Sequence, residues 1–133
     1  MKLVAGQIAE PRTYGPITRT DIVRYAGASG DFNPIHHDEV FATGAGFPTV
    51  FSIGMFQAAL LATYVTDWLG VETIRRYSVR FMDQVWPNDE LTCTGVVTKV
   101  EQTPEGELIE AELTCTRQNG SVAIAGMASF LRV

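Results

Sequence analysis

Residues 52–70 read SIGMFQAALLATYVTDWLG. Between Ile53 and Leu69 there is no Pro, Ala and Leu recur, and Asp67 is the single charged residue. That composition predicts a helix, with Ser52 as its N-cap and Gly70 as its stop. Apolar residues fall on nearly every face, and a helix hydrophobic all round has to be buried. Its most apolar run, Gly54 to Val65, is too short to span a bilayer and contains Gln57 and Thr63. The segment therefore belongs inside a folded domain.

Downstream of Gly70 the period changes. Tyr77, Val79 and Phe81 alternate as in a strand, with Met82 and Asp83 as its possible extension. Trp86-Pro87-Asn88-Asp89 and Thr103-Pro104-Glu105-Gly106 read as turns. Leu91 to Val100 lies between them as a strand. Leu108–Arg117 and Ser121–Val133 form a hairpin about Gln118-Asn119-Gly120, where Asn-Gly is a strong hairpin signal. An antiparallel meander curled around the apolar helix would explain why that helix has no polar face. The expected class is α+β with segregated elements.

Upstream, Thr18 to Asp21 forms a capping-box-like start, followed by Ile22, Tyr25 and Ala26 at helical spacing. This predicts a short helix over 19–28, ended by Gly27 and Gly30. Residues 29–52 form a long excursion punctuated by Pro34, Gly44, Gly46 and Pro48, with Asp38 as the cap of a short helix through Glu39 to Ala42. Phe32, Ile35, Phe41, Phe47 and Phe51 argue that this excursion packs.

The chain has 133 residues, 46% hydrophobic and 19% charged, without repeat or linker, which predicts one domain over 1–133 with a real core. Ten basic against fifteen acidic residues give a net charge of −5, and no basic cluster points to nucleic acid. The N-terminus lacks the apolar run of a signal peptide, so a soluble, cytoplasmic protein with no membrane partner is expected. Cys93 and Cys115 fall inside strands and read as small buried thiols, with a cross-strand disulfide left open.

The densest polar feature in this apolar setting is Asp31-Phe32-Asn33-Pro34-Ile35-His36. Pro34 fixes its own φ and pushes Asn33 toward extended backbone. Such a bend can bring Asp31 and His36 together over one pocket as an acid–base pair. Asn33 either orients a partner or satisfies the turn as an Asx motif. The same residues also make good turn chemistry without any activity. The first amides of the central helix lack intrahelical acceptors, and Gly54 has no side chain to block its N–H, so a developing oxyanion is favoured there. Gly54 can equally serve close packing. His36-His37-Asp38 lacks further ligands at metal-binding spacing, so no metal is expected. No Gly-x-Ser-x-Gly setting surrounds Ser29 or Ser52, and there is no phosphate loop or dinucleotide fingerprint. Arg75, Arg76 and Arg80 read as a solvated strand edge, with phosphate binding as the sharper alternative.

Gly30 to Asp38 (GDFNPIHHD), then Gly46-Phe47, Gly54-Met55, Arg80-Phe81 and Pro87-Asn88-Asp89, resemble in order the landmarks of the MaoC-like dehydratases, or (R)-specific enoyl-CoA hydratases (hydratase 2). The resemblance implies a single hotdog domain, an antiparallel sheet wrapped around a long central helix. It implies reversible syn hydration of a trans-2-enoyl thioester, with Asp31 and His36 as catalytic residues, the Gly54 amide as oxyanion donor, and Asn33 in support. It implies no cofactor beyond the coenzyme A of the substrate (an acyl-carrier thioester being the alternative). Partners would be a second copy, as a homodimer or higher oligomer, or a non-identical subunit. Members commonly have Ala-His-Gly-Met where this chain has Ser52-Ile53-Gly54-Met55, which makes Ile53 a candidate for shaping the pocket. The helical Ser of many members has no counterpart among Ala62 and Thr63. A hotdog thioesterase and a structural partner subunit are the rival readings.

Overall fold

A computed structural model describes residues 2–133. Thr18 starts the first helix, α1 (Arg19–Ser29): its hydroxyl accepts from the Asp21 N–H at 3.0 Å, and the Asp21 carboxylate accepts from the Thr18 N–H at 2.9 Å. Both orphan donors of a helix start are thereby met, as the T-x-x-D pattern predicts. Gly30 ends α1 at φ 76°, ψ 14°, a left-handed conformation that glycine adopts without a Cβ penalty, and its N–H donates to the Ala26 carbonyl. Asp38 caps α2 (Glu39–Gly44) by accepting from the Phe41 N–H.

The central helix, α3, runs Gly54–Leu69 and ends at Gly70. Its N-cap is Ile53, not Ser52, and no side chain caps it. The Ser52 hydroxyl instead donates to Gln57 Oε1 at 2.7 Å. The helix is not buried on every face either. Met55, Ala59, Thr63 and Asp67, four residues apart, form an exposed stripe in this chain. A single sheet covers only one side of a helical cylinder, so a uniformly apolar sequence does not ensure uniform burial.

The sheet holds β1 (Arg12–Tyr14), β2 (Ile74–Phe81), β3 (Leu91–Thr103), β4 (Gly106–Arg117) and β5 (Val122–Arg132), in the order β1-β3-β4-β5-β2, all antiparallel. The meander is therefore β3-β4-β5. Strand β2 lies beyond β5 at the far edge instead of beside β3, and the short β1 occupies the other edge. Inward residues alternate: Leu91, Cys93 and Val97 on β3; Ile109, Ala111, Leu113 and Cys115 on β4; Ile124, Ala128 and Phe130 on β5. They meet Leu61, Tyr64, Val65 and Leu69 of α3. Each Val, Leu, Ile or Phe among them contributes roughly 1.5–3 kcal/mol on burial. Gly95 and Gly126 let the layers close: an added Cβ would lie 3.1 Å from Leu113 and Trp68 at the first, and 3.3 Å from Leu61 at the second. Cys93 and Cys115 sit opposite one another on β3 and β4 as free, buried thiols. This sheet with its one long helix is the hotdog arrangement.

Candidate active site

The GDFNPIH stretch leaves α1 at Gly30 and turns at once. Asn33 Oδ1 accepts from the Ile35 N–H at 3.1 Å, and Pro34 opens a 3-10 turn, Pro34–His36. Backbone bonds from His36 N to Asn33 O and from Asp38 N to Pro34 O close it. Asn33 thus acts in the turn. It is exposed and does not line the cavity described below, and Ile53 packs into the core, also away from that cavity.

The turn sends the two histidines apart. His37 is exposed, its Nε2 donating to the Phe32 carbonyl at 3.4 Å, whereas His36 is 9% exposed. His36 Nδ1 lies 2.7 Å from the Phe51 carbonyl. A carbonyl only accepts, so Nδ1 carries the proton and Nε2 of the neutral ring keeps its lone pair. That Nε2 faces Asp31 Oδ2 at 3.9 Å. The separation is too long for a direct hydrogen bond and fits one intervening water. With two sides of ~2.8 Å, the apex angle at the water oxygen is about 88°, close enough to a tetrahedral angle for its two protons to point at both groups. The aromatic rings of Phe51 and Trp86 brace the imidazole: Phe51 meets it edge-on at 5.3 Å between centroids, and Trp86 packs on Phe51 at 5.6 Å.

His36 opens into a cavity of about 310 Å³, lined also by Phe51, Ser52, Gly54, Gln57, Phe81, Met82, Asp83 and Gln84. Asp31 is partly exposed and is not among the lining residues; it meets the cavity through its 3.9 Å approach to His36 Nε2. The amide of Gly54 begins α3 without a side-chain cap and meets no protein acceptor among the described residues. The two expectations for Gly54 coexist. Its N–H is available at the positive helix end, and its missing Cβ makes room for the Phe81 ring, 3.1 Å from where a Cβ would stand.

One wall was not legible in the sequence. Arg117, on β4, donates to Asp83 at 3.0 Å and to Asp89 at 2.8 Å. Asp89 is 4% exposed and also accepts from the Trp86 N–H and the Gln118 amide. Burial pushes the Asp89 carboxyl up, but Arg117, the Trp86 N–H and Gln118 outweigh it and leave the pKa below the usual carboxylate range. The Ser121 hydroxyl, followed by Arg117 and the Gln84 N–H, holds Asp83 low as well. This network anchors the 82–84 segment that walls the cavity. Arg75, Arg76 and Arg80 are exposed on β2, outside the cavity. Among the described residues no group of three or more His, Cys, Asp or Glu converges as a metal site, and no helix is long and apolar enough to cross a membrane.

Residues 4–119 match the model of the MaoC like domain. The (R)-specific enoyl-CoA hydratase of Rhodospirillum rubrum is 31% identical over 118 residues, covering 86% of this chain and 79% of that protein. The 3-oxo-4,17-pregnadiene-20-carboxyl-CoA hydratase beta subunit of Mycobacterium tuberculosis is 33% identical, over 75% of this chain and 77% of its own length. Larger proteins carry the same unit: the chain spans 8% of the fatty acid synthase beta subunit pkiC of Emericella nidulans, at 29% identity over 93% of this chain. Among solved structures, the (R)-hydratase from A. caviae involved in PHA biosynthesis superposes with a TM-score of 0.84 at 26% identity, covering 96% of this chain and 95% of that one. The ChsH1–ChsH2 complex of Mycobacterium tuberculosis gives 0.85 at 26% identity, with 98% and 100% covered. With the motif, the helix-bearing sheet and these likenesses in agreement, the chain belongs to the MaoC-like dehydratase family.

Proposed function

We propose that this protein hydrates a trans-2-enoyl thioester reversibly to the (3R)-3-hydroxyacyl thioester. The observation that carries this reading is the 3.9 Å gap between Asp31 Oδ2 and a lone-pair-bearing His36 Nε2, with that imidazole and an uncapped helix start lining one cavity. A water in that gap donates one proton to each group, which leaves its oxygen lone pairs free to attack C3. One of the pair takes the proton, and a proton returns to C2 from the same side, so addition is syn. The groups act as a coupled unit rather than as a fixed acid and a fixed base.

The thioester oxygen gains negative charge during attack, and the Gly54 N–H meets it. One such donor is worth about 3–4 kcal/mol of barrier, and acid–base help roughly 10²–10⁴ in rate. The reaction adds water across a carbon–carbon double bond with no net change of oxidation level, and calls for no metal or redox group; coenzyme A or an acyl carrier arrives as part of the substrate. The similar solved structures include a complex of two proteins, ChsH1–ChsH2. We place the partner, a second copy or a non-identical subunit, along the free edge of β2. A cytoplasmic location fits such a substrate.

The test is to give the purified chain enoyl-CoAs and enoyl-acyl-carrier thioesters of graded length, with chiral analysis of the product. The reading predicts (3R)-hydroxyacyl product without thiol release. Free thiol from a saturated acyl-CoA, with no hydration, would favour the thioesterase alternative and overturn this one.

A further inference from the structure

Gln57 is an amide buried in a largely apolar helix, 2% exposed, and it lines the cavity. Its Oε1 is held by the Ser52 hydroxyl at 2.7 Å, and Ser52 is itself fixed by its N–H on the Val85 carbonyl. The Nε2 group has no acceptor among the described residues. No side-chain nitrogen or oxygen among those residues is both sealed off and unpartnered, so this nitrogen is open to the cavity. Gln57 lies three residues after Gly54, on the same helix face. Helical side chains lean toward the N-terminus, and the bond to Ser52 draws the carboxamide past the first turn. Gly54 and Gln57 line the same cavity at the start of α3.

We propose that Gln57 Nε2 is a second hydrogen-bond donor to the thioester carbonyl oxygen, next to the Gly54 amide. The inference rests on the hydration reading above. Ser52 is then a positioning residue: by occupying Oε1 it directs the NH₂ end, not the carbonyl end, at the substrate. A Gln serving only to satisfy Ser52 needs no donor facing the cavity.

Gln57→Glu separates the two roles. Glutamate is nearly isosteric and still accepts from Ser52, but when ionised it offers no donor and opposes the growing oxyanion. The expected result, at a pH where that carboxyl is ionised, is a fall in kcat of roughly 10²-fold or more, with a smaller change in KM. The loss, relative to wild type, should ease as pH falls and the carboxyl regains a proton to donate. Gln57→Met, similar in volume and without a donor, is expected to lose kcat without that pH relief. Ser52→Ala should cost less than either. Hydration by Gln57→Met within about threefold of wild type, while Asp31→Asn is inactive, would overturn this inference and leave the hydration reading intact. Wild-type protein that hydrates no enoyl thioester would overturn both.

Discussion

Replacing Arg117 with Met isolates what the buried ion network contributes. The Arg117 side chain is 15% exposed and the Asp89 side chain 6%, with Nε–Oδ2 at 2.8 Å; Asp83 is more open, at 34%. Methionine keeps most of the stem packing but removes the cation from two carboxylates. Breaking a buried pair by deleting one partner costs about 3–5 kcal/mol. Asp89 keeps the Trp86 N–H and the Gln118 amide, so the lower end, ~3 kcal/mol, is expected. With an unfolding entropy of about 2.1 cal/mol/K per residue, that is a drop of roughly 10 °C in Tm for 133 residues. The pH dependence supplies the sharper signature. In the wild type both carboxyls have depressed pKa values. Their contribution is complete above the ordinary carboxylate range and is lost as pH falls through the folded values. In the variant, burial at Asp89 is no longer outweighed by a cation, so its carboxyl rises and protonation relieves the strain. The stability gap between the two proteins should therefore be widest near neutrality and narrow toward acid. Urea melts across that range measure it, and Arg117→Met/Asp89→Asn should recover part of the loss. A gap that is small at neutral pH, or that widens in acid, would refute the reasoning.

Two further substitutions probe other parts of the account. Gly54→Ala places a Cβ 3.1 Å from the Phe81 ring; because that ring is half-exposed and can swing, stability should change by only about 1 kcal/mol, while hydration, measured by loss of enoyl absorbance, falls on the order of tenfold or more as the ring moves into the cavity. Thr18→Ala removes one arm of the α1 capping box and should cost about 1 kcal/mol in denaturant melts; an unchanged midpoint would show that α1 is held by tertiary contacts alone.

Local chemistry was legible in the sequence because it depends on near neighbours. Thr18 with Asp21, Asp38 before α2, Gly30 after α1 and the Asn119-Gly120 turn all act within a few residues. The Asp31–His36 approach was legible for the same reason, since one proline bend decides it. Ser52 was misread because its hydroxyl has two possible employments, capping α3 or holding Gln57, and only the position of the Gln57 side chain decides between them. Strand β2 could not be placed at the far edge from its own alternation, which states a face but not a neighbour. The short β1 has three residues and little pattern to read. The pairing of Asp83 and Asp89 with Arg117 left no signal: 34 and 28 positions separate these acids from the arginine, and only the completed sheet brings them together.

The central claim is that one water serves Asp31 and His36 jointly, and a double-mutant cycle on hydration kinetics tests it most directly. Asp31→Asn and His36→Ala should each lower kcat for crotonyl-CoA by roughly 10²–10⁴-fold, with melting temperatures close to wild type. Because the two groups act on the same molecule, the double variant should be scarcely slower than the worse single one. Losses that multiply, or either single variant turning over near the wild-type rate, would contradict the account.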